Sequence, residues 1–191
     1  MKILGIMGSS SKSSHTRIGL EALAERIRQA GAEFQLVDLA VEFREMHDIS
    51  EHDEPTPEGQ TAQLRHLVAA ADGIVLATPV YHGSYSGLLK NCLDHLRGDA
   101  FASKPVGILA NGGGPRSAVS ACDQLRTVVR AISGWAVPGH VATTGSDFAG
   151  SEPSPAIAGR MDAMVADLLM FASHRQAAPE RDGSEGTVRA A

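Results

Sequence analysis

Five short apolar segments alternate with segments of helical periodicity, and this alternation is the strongest constraint on how the chain can fold. The apolar segments predict strands at residues 2–7, 33–39, 73–78, 105–110 and, around Val141, within 135–144. The periodic segments predict helices at residues 16–30, 58–71, 88–97, 116–132 and 155–172. Strands that alternate with helices form a parallel sheet, whose right-handed crossovers place helices on both faces.

The number of elements and the length of the chain narrow the fold further. Five strands and five helices in 191 residues are typical of one domain with a doubly wound, flavodoxin-like sheet. We therefore predict an α/β three-layer sandwich whose five-stranded parallel sheet has the order 2-1-3-4-5. The domain is expected to span residues 1–174, with a long acidic loop and a short turn of helix over 41–57. Residues 175–191 carry few apolar side chains and predict a disordered tail.

Composition argues against several classes of partner. The formal net charge is -5, without the basic patch that nucleic-acid binding needs. The longest apolar runs are far too short to span a bilayer, and the strand-like start predicts no signal peptide. The two cysteines, Cys92 and Cys122, each fall in a predicted helix. We expect buried thiols in a reducing cytoplasm rather than a disulfide.

A serine-rich loop follows the first predicted strand. Residues 8–17 hold five serines, a threonine, a lysine and an arginine at the start of a helix. Backbone amides and the helix dipole favour an anion at such a position, so the loop suits a monophosphate. It matches neither the Walker A pattern nor the G-x-G-x-x-G fingerprint. The alternative is a serine-rich turn in which Ser14 or Thr16 caps the helix.

Two further loops suit a flat ring with polar edges. Residues 77–91 follow the third predicted strand and contain a proline, two tyrosines, a histidine and two glycines. The alternative is a turn in which Gly83 supplies a positive φ and the tyrosines pack on the surface. Residues 111–116 follow the fourth strand, and their three glycines let the backbone approach a ligand closely. The alternative there is a βα turn with Pro115 at the first helical position.

The order of the strands brings these three loops together. They follow the first, third and fourth strands, whose carboxyl ends are neighbours in a 2-1-3-4-5 sheet, at the point where such folds bind ligands. One loop suits a phosphate and the other two suit a ring. The sequence therefore predicts a site for a mononucleotide with a large planar head.

With these loops assembled, the chain resembles the NAD(P)H-dependent FMN reductase family from residue 2 to about residue 172. The family's first loop reads G-S-x-R-x-x-S-x-N, which Gly8, Ser9, Ser14 and Thr16 match by position or chemistry, with Ser11 in place of the arginine. Lys12 is a candidate substitute for that arginine. The family's second loop reads T-P-x-Y-x-x-S-x-x-G-x-L-K-N-x-x-D. Its matching positions are Thr78, Pro79, Tyr81, Ser84, Gly87, Leu89, Lys90, Asn91 and Asp94.

The resemblance implies that the three loops bind FMN. The implied phosphate ligands are Ser9, Ser11, Ser14 and Thr16. The implied lining of the isoalloxazine edge is Pro79, Val80, Tyr81, His82, Gly83 and Ser84. From the other side the ring would meet Asn111, Gly112, Gly113 and Gly114.

The implied reaction is hydride transfer from NADPH or NADH to N5 of FMN. Because the cofactor carries the chemistry, no side chain is expected to act as an acid or base, and no metal is expected. Tyr81 and His82 are expected to border the flavin. Arg17 and Arg116 are candidates for the 2′-phosphate of NADPH, or ordinary surface arginines. Asp94 and His95 are expected to be structural, and the acidic, histidine-containing stretch 47–54 to be a solvated loop rather than a metal site.

The resemblance leaves the electron acceptor open. The second loop is most similar to reductases that supply reduced flavin to a partner monooxygenase. Quinone, azo and chromate reductases that retain FMN are the first alternative. A flavodoxin-like electron carrier and a flavin-free relative are alternatives of other classes, although the first loop lacks the T-x-T-G-x-T pattern of such carriers. The family commonly forms homodimers and homotetramers, and the 41–57 loop and the helix that follows the second loop are candidate contacts.

Overall fold

The computed structural model describes the backbone of residues 1–11 and 13–177 and their side chains up to residue 174. Of the predicted tail, residues 175–177 continue the last helix, and residues 178–191 lie outside the described part of the chain. Lys12, the candidate substitute for the family's arginine, also lies outside it. Within the described residues, no helix is both long and apolar enough to cross a membrane.

The elements follow the predicted alternation. The strands are β1 (Lys2–Met7), β2 (Glu33–Asp38), β3 (Gly73–Tyr81), β4 (Ser84–Tyr85), β5 (Pro105–Asn111), β6 (Trp135–Ala136), β7 (Val141–Thr143), β8 (Phe148–Ala149) and β9 (Glu152–Pro153). The helices are α1 (His15–Gln29), α2 (Ser50–Asp53), α3 (Gln60–Ala70), α4 (Gly87–Asp94), α5 (Pro115–Ala131) and α6 (Pro155–Ala177), with a 3₁₀ turn at Gly145–Asp147. The short helix α2 is the turn expected within the 41–57 loop.

The main sheet has the predicted order. Parallel strands run β2-β1-β3-β5, and β6 and β7 both pair with β5, so that together they occupy the fifth position. The fifth strand is interrupted between them, and Arg126 of α5 binds the carbonyls of the interrupted segment. Its guanidinium donates to the carbonyls of Val137, Pro138 and Gly139 at 2.9, 2.7 and 3.1 Å.

Alternating residues of the strands pack into two apolar layers, one on each face of the sheet. Leu4, Ile74 and Ile108 point to the layer that α3, α4 and α5 cover. Ile3, Val75 and Leu109 point to the layer that α1 and α6 cover. This is the three-layer sandwich that the sequence predicts, since a strand buried on both faces reads as a continuous apolar run.

Residues 77–85, which are predicted to belong to a loop, are mostly β-structure instead. Strand β3 continues three residues past Thr78, and β4 returns antiparallel to it, pairing Val80 with Tyr85 and Tyr81 with Ser84. The two residues between them, His82 and Gly83, have φ angles of 52° and 80°. Two successive positive φ angles are typical of a type I′ hairpin turn. Most of the predicted ring-binding loop is therefore a β-hairpin.

Candidate functional site

The three predicted loops lie side by side at the carboxyl edge of the sheet. Met7 at the end of β1 is in register with Ala77 of β3, and the Gly8 amide donates to the Ala77 carbonyl at 2.7 Å. Pro79 of β3 is in register with Asn111 of β5. The structure thus brings together the serine-rich loop, the β3–β4 hairpin and the glycine-rich loop, as the strand order requires.

The serine-rich loop contains one buried hydroxyl that is not satisfied. Ser14 is the N-cap of α1 and accepts a bond from the Arg17 amide at 3.2 Å, and buried Ser9 accepts one from the Ser11 amide at 3.3 Å. Thr16 is only 1% exposed, and its Oγ1 has no hydrogen-bond partner among the described residues. An unsatisfied buried hydroxyl is costly, and this one lies on the first turn of a helix, where an anion is favoured. A phosphate oxygen would satisfy it, so the loop fits the phosphate of FMN.

The buried Ser86 hydroxyl joins the serine-rich loop to the base of the hairpin, a role that its place in the sequence does not reveal. The Ser86 hydroxyl donates to the Gly8 carbonyl at 2.6 Å and accepts from the Leu89 amide at 3.1 Å as the N-cap of α4. The Ser86 amide in turn donates to Thr78 Oγ1 at 2.9 Å. Ser86 therefore sets the distance between the predicted phosphate loop and the predicted ring site. A serine just before a helical segment is the local signal of a cap, but its bond to Gly8 spans 78 residues of sequence.

The hairpin and the glycine-rich loop meet at Val80 and Gly112. A Cβ on Gly112 would lie 2.7 Å from Ser117 Oγ and 3.2 Å from Val80 Cγ2, so a larger residue there would require the Ser117 side chain to move. The next two glycines are different, because a Cβ on Gly113 or Gly114 would meet nothing within 4 Å. The backbone at Gly113 and Gly114, next to the contact between Val80 and Gly112, is therefore uncrowded among the described residues.

Two of the polar side chains predicted to line the ring have partners within the protein. Ser84 Oγ donates to Gln124 Oε1 of α5 at 2.6 Å. The Asn111 amide nitrogen donates to Thr143 Oγ1 at 3.0 Å. Tyr81, His82 and Gly83 are exposed, whereas Pro79 is buried within β3. The Ser84 hydroxyl is engaged with Gln124, which leaves the backbone of this segment as its group for a ring edge.

A fourth loop lies at the carboxyl edge of the sheet, and no motif in the sequence predicts it as part of the site. Residues 143–149 follow the fifth strand and are held by Thr144 and Asp147, whose side chains and backbones form a capping box. His15 of α1 stacks on Phe148, with ring centroids 6.1 Å apart, and its imidazole lies against Gly145. The histidine sits between the serine-rich loop and this fourth loop. Neither spacing nor composition marks the contact, because its members are more than a hundred residues apart in the sequence.

Most of the remaining candidates have partners within the protein. Arg17 pairs with Asp38 at 2.5 Å, which occupies part of its guanidinium, while Arg116 is exposed. Lys90 pairs with Asp94 at 2.5 Å. His95 is buried and makes a 2.7 Å bond with Thr61 Oγ1. These contacts agree with the structural roles expected for Asp94 and His95.

Burial also decides the state of the two thiols. It raises the pKa of both Cys92 and Cys122 to about 12, and both are free. A thiol that stays protonated is a poor nucleophile. Neither cysteine is suited to a redox or nucleophilic role in the site.

The fold and this edge define a class of protein. They combine a flavodoxin-like sheet, a helix N-terminus with an unsatisfied buried hydroxyl and an uncrowded glycine backbone beside a hairpin. Ligands of open α/β sheets bind at this switch point. The class is that of flavodoxin-like α/β proteins whose switch-point loops are suited to a mononucleotide.

Comparison with known proteins identifies the family. The family model for NADPH-dependent FMN reductases matches residues 1–148. The chain is similar to an FMN-dependent NADPH-azoreductase of Staphylococcus aureus, with 42% identity over 154 residues, which are 80% of this chain and 81% of that protein. The chain therefore belongs to the NADPH-dependent FMN reductase family.

Solved structures agree with this assignment. An oxidoreductase from Corynebacterium diphtheriae has the same fold, with a TM-score of 0.75 and 23% identity, over 91% of this chain and 97% of that one. An apo NADH:FMN oxidoreductase has a TM-score of 0.72 and 25% identity, over 91% of this chain and 89% of that one. The family, the flavodoxin-like fold, the enzyme class and the use of FMN with NAD(P)H, all expected from the sequence, are confirmed.

Proposed function

We propose that this chain holds FMN in the three-loop site, reduces it with NADPH, and passes the electrons to a small azo or quinone acceptor. The observation that carries the proposal is the unsatisfied Thr16 hydroxyl at the N-terminus of α1, one strand away from Val80 and the uncrowded glycine backbone beside it. The name of the Staphylococcus aureus relative supports an azo acceptor. When bound, FMN would supply the ring that accepts a hydride and donates electrons.

The protein's own part in this reaction is binding and orientation. In our proposal Ser9, Ser11, Ser14 and Thr16 hold the phosphate, with the dipole of α1 behind them. The edge of the ring rests on residues 79–84, and residues 111–114 border it from the other side. Backbone amides of these two segments would stabilise negative charge on the reduced ring, as preorganised donors do in other active sites. No side chain in this set needs to gain or lose a proton.

Two properties beyond the reaction are also proposals. Met46 and Ile49 are large apolar side chains that are 79% and 77% exposed, and both belong to the 41–57 loop. Exposed apolar side chains of this size support a homodimer or homotetramer that covers them. The proposed location is the cytoplasm, where NAD(P)H is available and where two free thiols stay reduced.

The test is a titration followed by an acceptor panel. Purified protein is expected to quench FMN fluorescence, and the FMN-loaded protein is expected to oxidise NADPH in stopped flow. Steady-state rates with an azo dye, a quinone and free FMN then rank the acceptors. Flavin that stays bound through gel filtration supports the azo or quinone role, whereas preferred turnover of free FMN supports supply of reduced flavin to a partner monooxygenase. Failure to oxidise NADPH or NADH with any of these acceptors would refute the proposal.

A further inference from the structure

Gln124 on α5 holds the tip of the β3–β4 hairpin from the side. Its Oε1 accepts from the Ser84 hydroxyl at 2.6 Å, and its Nε2 donates to the Gly83 carbonyl at 3.1 Å. The same nitrogen lies 3.2 Å from Ser120 Oγ, one helical turn earlier. Gln124 is exposed, so these bonds are not a by-product of core packing.

The hairpin turn needs such a support. Strand β4 has only two residues and makes two pairs with β3. The turn places His82 at a φ of 52°, a left-handed conformation that residues with a side chain rarely adopt. A two-residue strand supplies few backbone bonds to offset this strain. The two bonds from Gln124 hold the tip of the turn itself, beyond the buried bonds of Thr78 and Ser86 at its base.

The position of the turn matters because it borders the proposed flavin ring. We propose that Gln124 is a positioning residue: by holding the Gly83 carbonyl and the Ser84 hydroxyl, it fixes the backbone against which the ring edge rests. This inference rests on the proposed function. It also assigns the Ser84 hydroxyl to the support of the turn. A turn that is already ordered costs less to bind against than one that must be ordered on binding.

The experiment compares three variants with the wild type. Gln124→Ala removes both bonds. Gln124→Glu keeps an acceptor for Ser84 but sets a carboxylate oxygen against the Gly83 carbonyl. Thr127→Ala is the matched control, because Thr127 is exposed on the next turn of α5. Hydrogen exchange of the hairpin is measured without flavin, and the FMN Kd, the visible spectrum and the midpoint potential are measured with it.

We expect Gln124→Ala to raise the FMN Kd about fivefold to tenfold, as the loss of one to two net hydrogen bonds would. Hairpin amides should exchange about tenfold faster without flavin, and the spectrum and potential of the bound flavin should shift. Gln124→Glu should raise the FMN Kd at least as much as Gln124→Ala, although it keeps the size of the side chain. Thr127→Ala should change the FMN Kd by less than about twofold.

The possible failures are distinguishable. Wild-type protein that does not bind FMN would overturn the proposed function and this inference together, and no variant is needed to see it. The inference alone is wrong if the wild type binds FMN and both Gln124 variants have the same FMN Kd, visible spectrum and midpoint potential as the wild type. That holds even if the hairpin amides of the variants exchange faster. Unchanged exchange in the variants would also overturn it, because the side chain would then not hold the turn. If Gln124→Ala does not fold, Gln124→Glu decides by the same measurements.

Discussion

Replacing Thr16 by valine should affect stability and flavin binding in opposite directions. Valine has the shape of threonine without the hydroxyl. Thr16 Oγ1 is buried and has no partner among the described residues, and a buried polar group in that state costs about 1–3 kcal/mol. Removing it should leave the free energy of unfolding of the flavin-free protein unchanged or raise it by about 1 kcal/mol, a rise in Tm of about 2–4 °C at this size.

In the loaded protein the same change removes a hydrogen bond to a charged group. Such bonds contribute about 1.5–3 kcal/mol, so the FMN Kd should rise about tenfold to 150-fold. Riboflavin has the same ring but no phosphate, and its Kd should hardly change. The assay is therefore a pair of fluorescence titrations, with FMN and with riboflavin, beside urea unfolding of the flavin-free protein.

A matched control is available at Thr61. It is equally buried, but its hydroxyl is bonded to His95 Nδ1 at 2.7 Å. Thr61→Val should therefore destabilise the flavin-free protein by about 1–3 kcal/mol. If Thr16→Val destabilises it to the same extent, the Thr16 hydroxyl has a structural partner and the reasoning is wrong. If the Kd values of FMN and riboflavin rise equally, Thr16 does not contact the phosphate.

Two other changes test the site and the core. Gly113→Ala should leave the stability of the flavin-free protein nearly unchanged, because the added Cβ would meet no neighbour. It should nevertheless raise the FMN Kd about tenfold or more, because the methyl group would fill space beside the proposed ring. Gly139→Ala, which is equally uncrowded, should not change the FMN Kd, and equal titration curves for the two variants would contradict the proposed ring position. Burial raises the pKa of the Cys92 thiol from 9.0 to about 12. Above pH 9 the folded protein therefore keeps a proton that the unfolded chain releases. The free energy of unfolding should fall as the pH rises from 9 to 12. Measured by urea unfolding, the free energy of unfolding of Cys92→Ala should fall by about 1 kcal/mol less than that of the wild type between pH 9 and pH 10. Parallel pH profiles for the two proteins would show that folding does not raise the pKa of this thiol.

Much of the fold follows from local patterns. Apolar runs at 73–78 and 105–110 predict buried parallel strands, and both form as β3 and β5. The hairpin was missed because Pro79 and the glycines and serines around it are typical of loops, whereas pairing of Val80 with Tyr85 overrides that local preference. The break in the fifth strand is likewise not predicted, and the arginine that binds its carbonyls lies on α5, outside the segment itself.

The sequence by itself determined which loops meet at the site. Strand order follows from the alternation of elements and from the handedness of crossovers, both of which are readable along the chain. Only the tertiary structure decided what each polar side chain does there. Ser86 is bonded to Gly8 across 78 residues and Ser84 to Gln124 across 40, while Thr16 has no partner among the described residues. Hydrogen-bond partners depend on distances of a few tenths of an ångström between remote segments, and no local pattern encodes these.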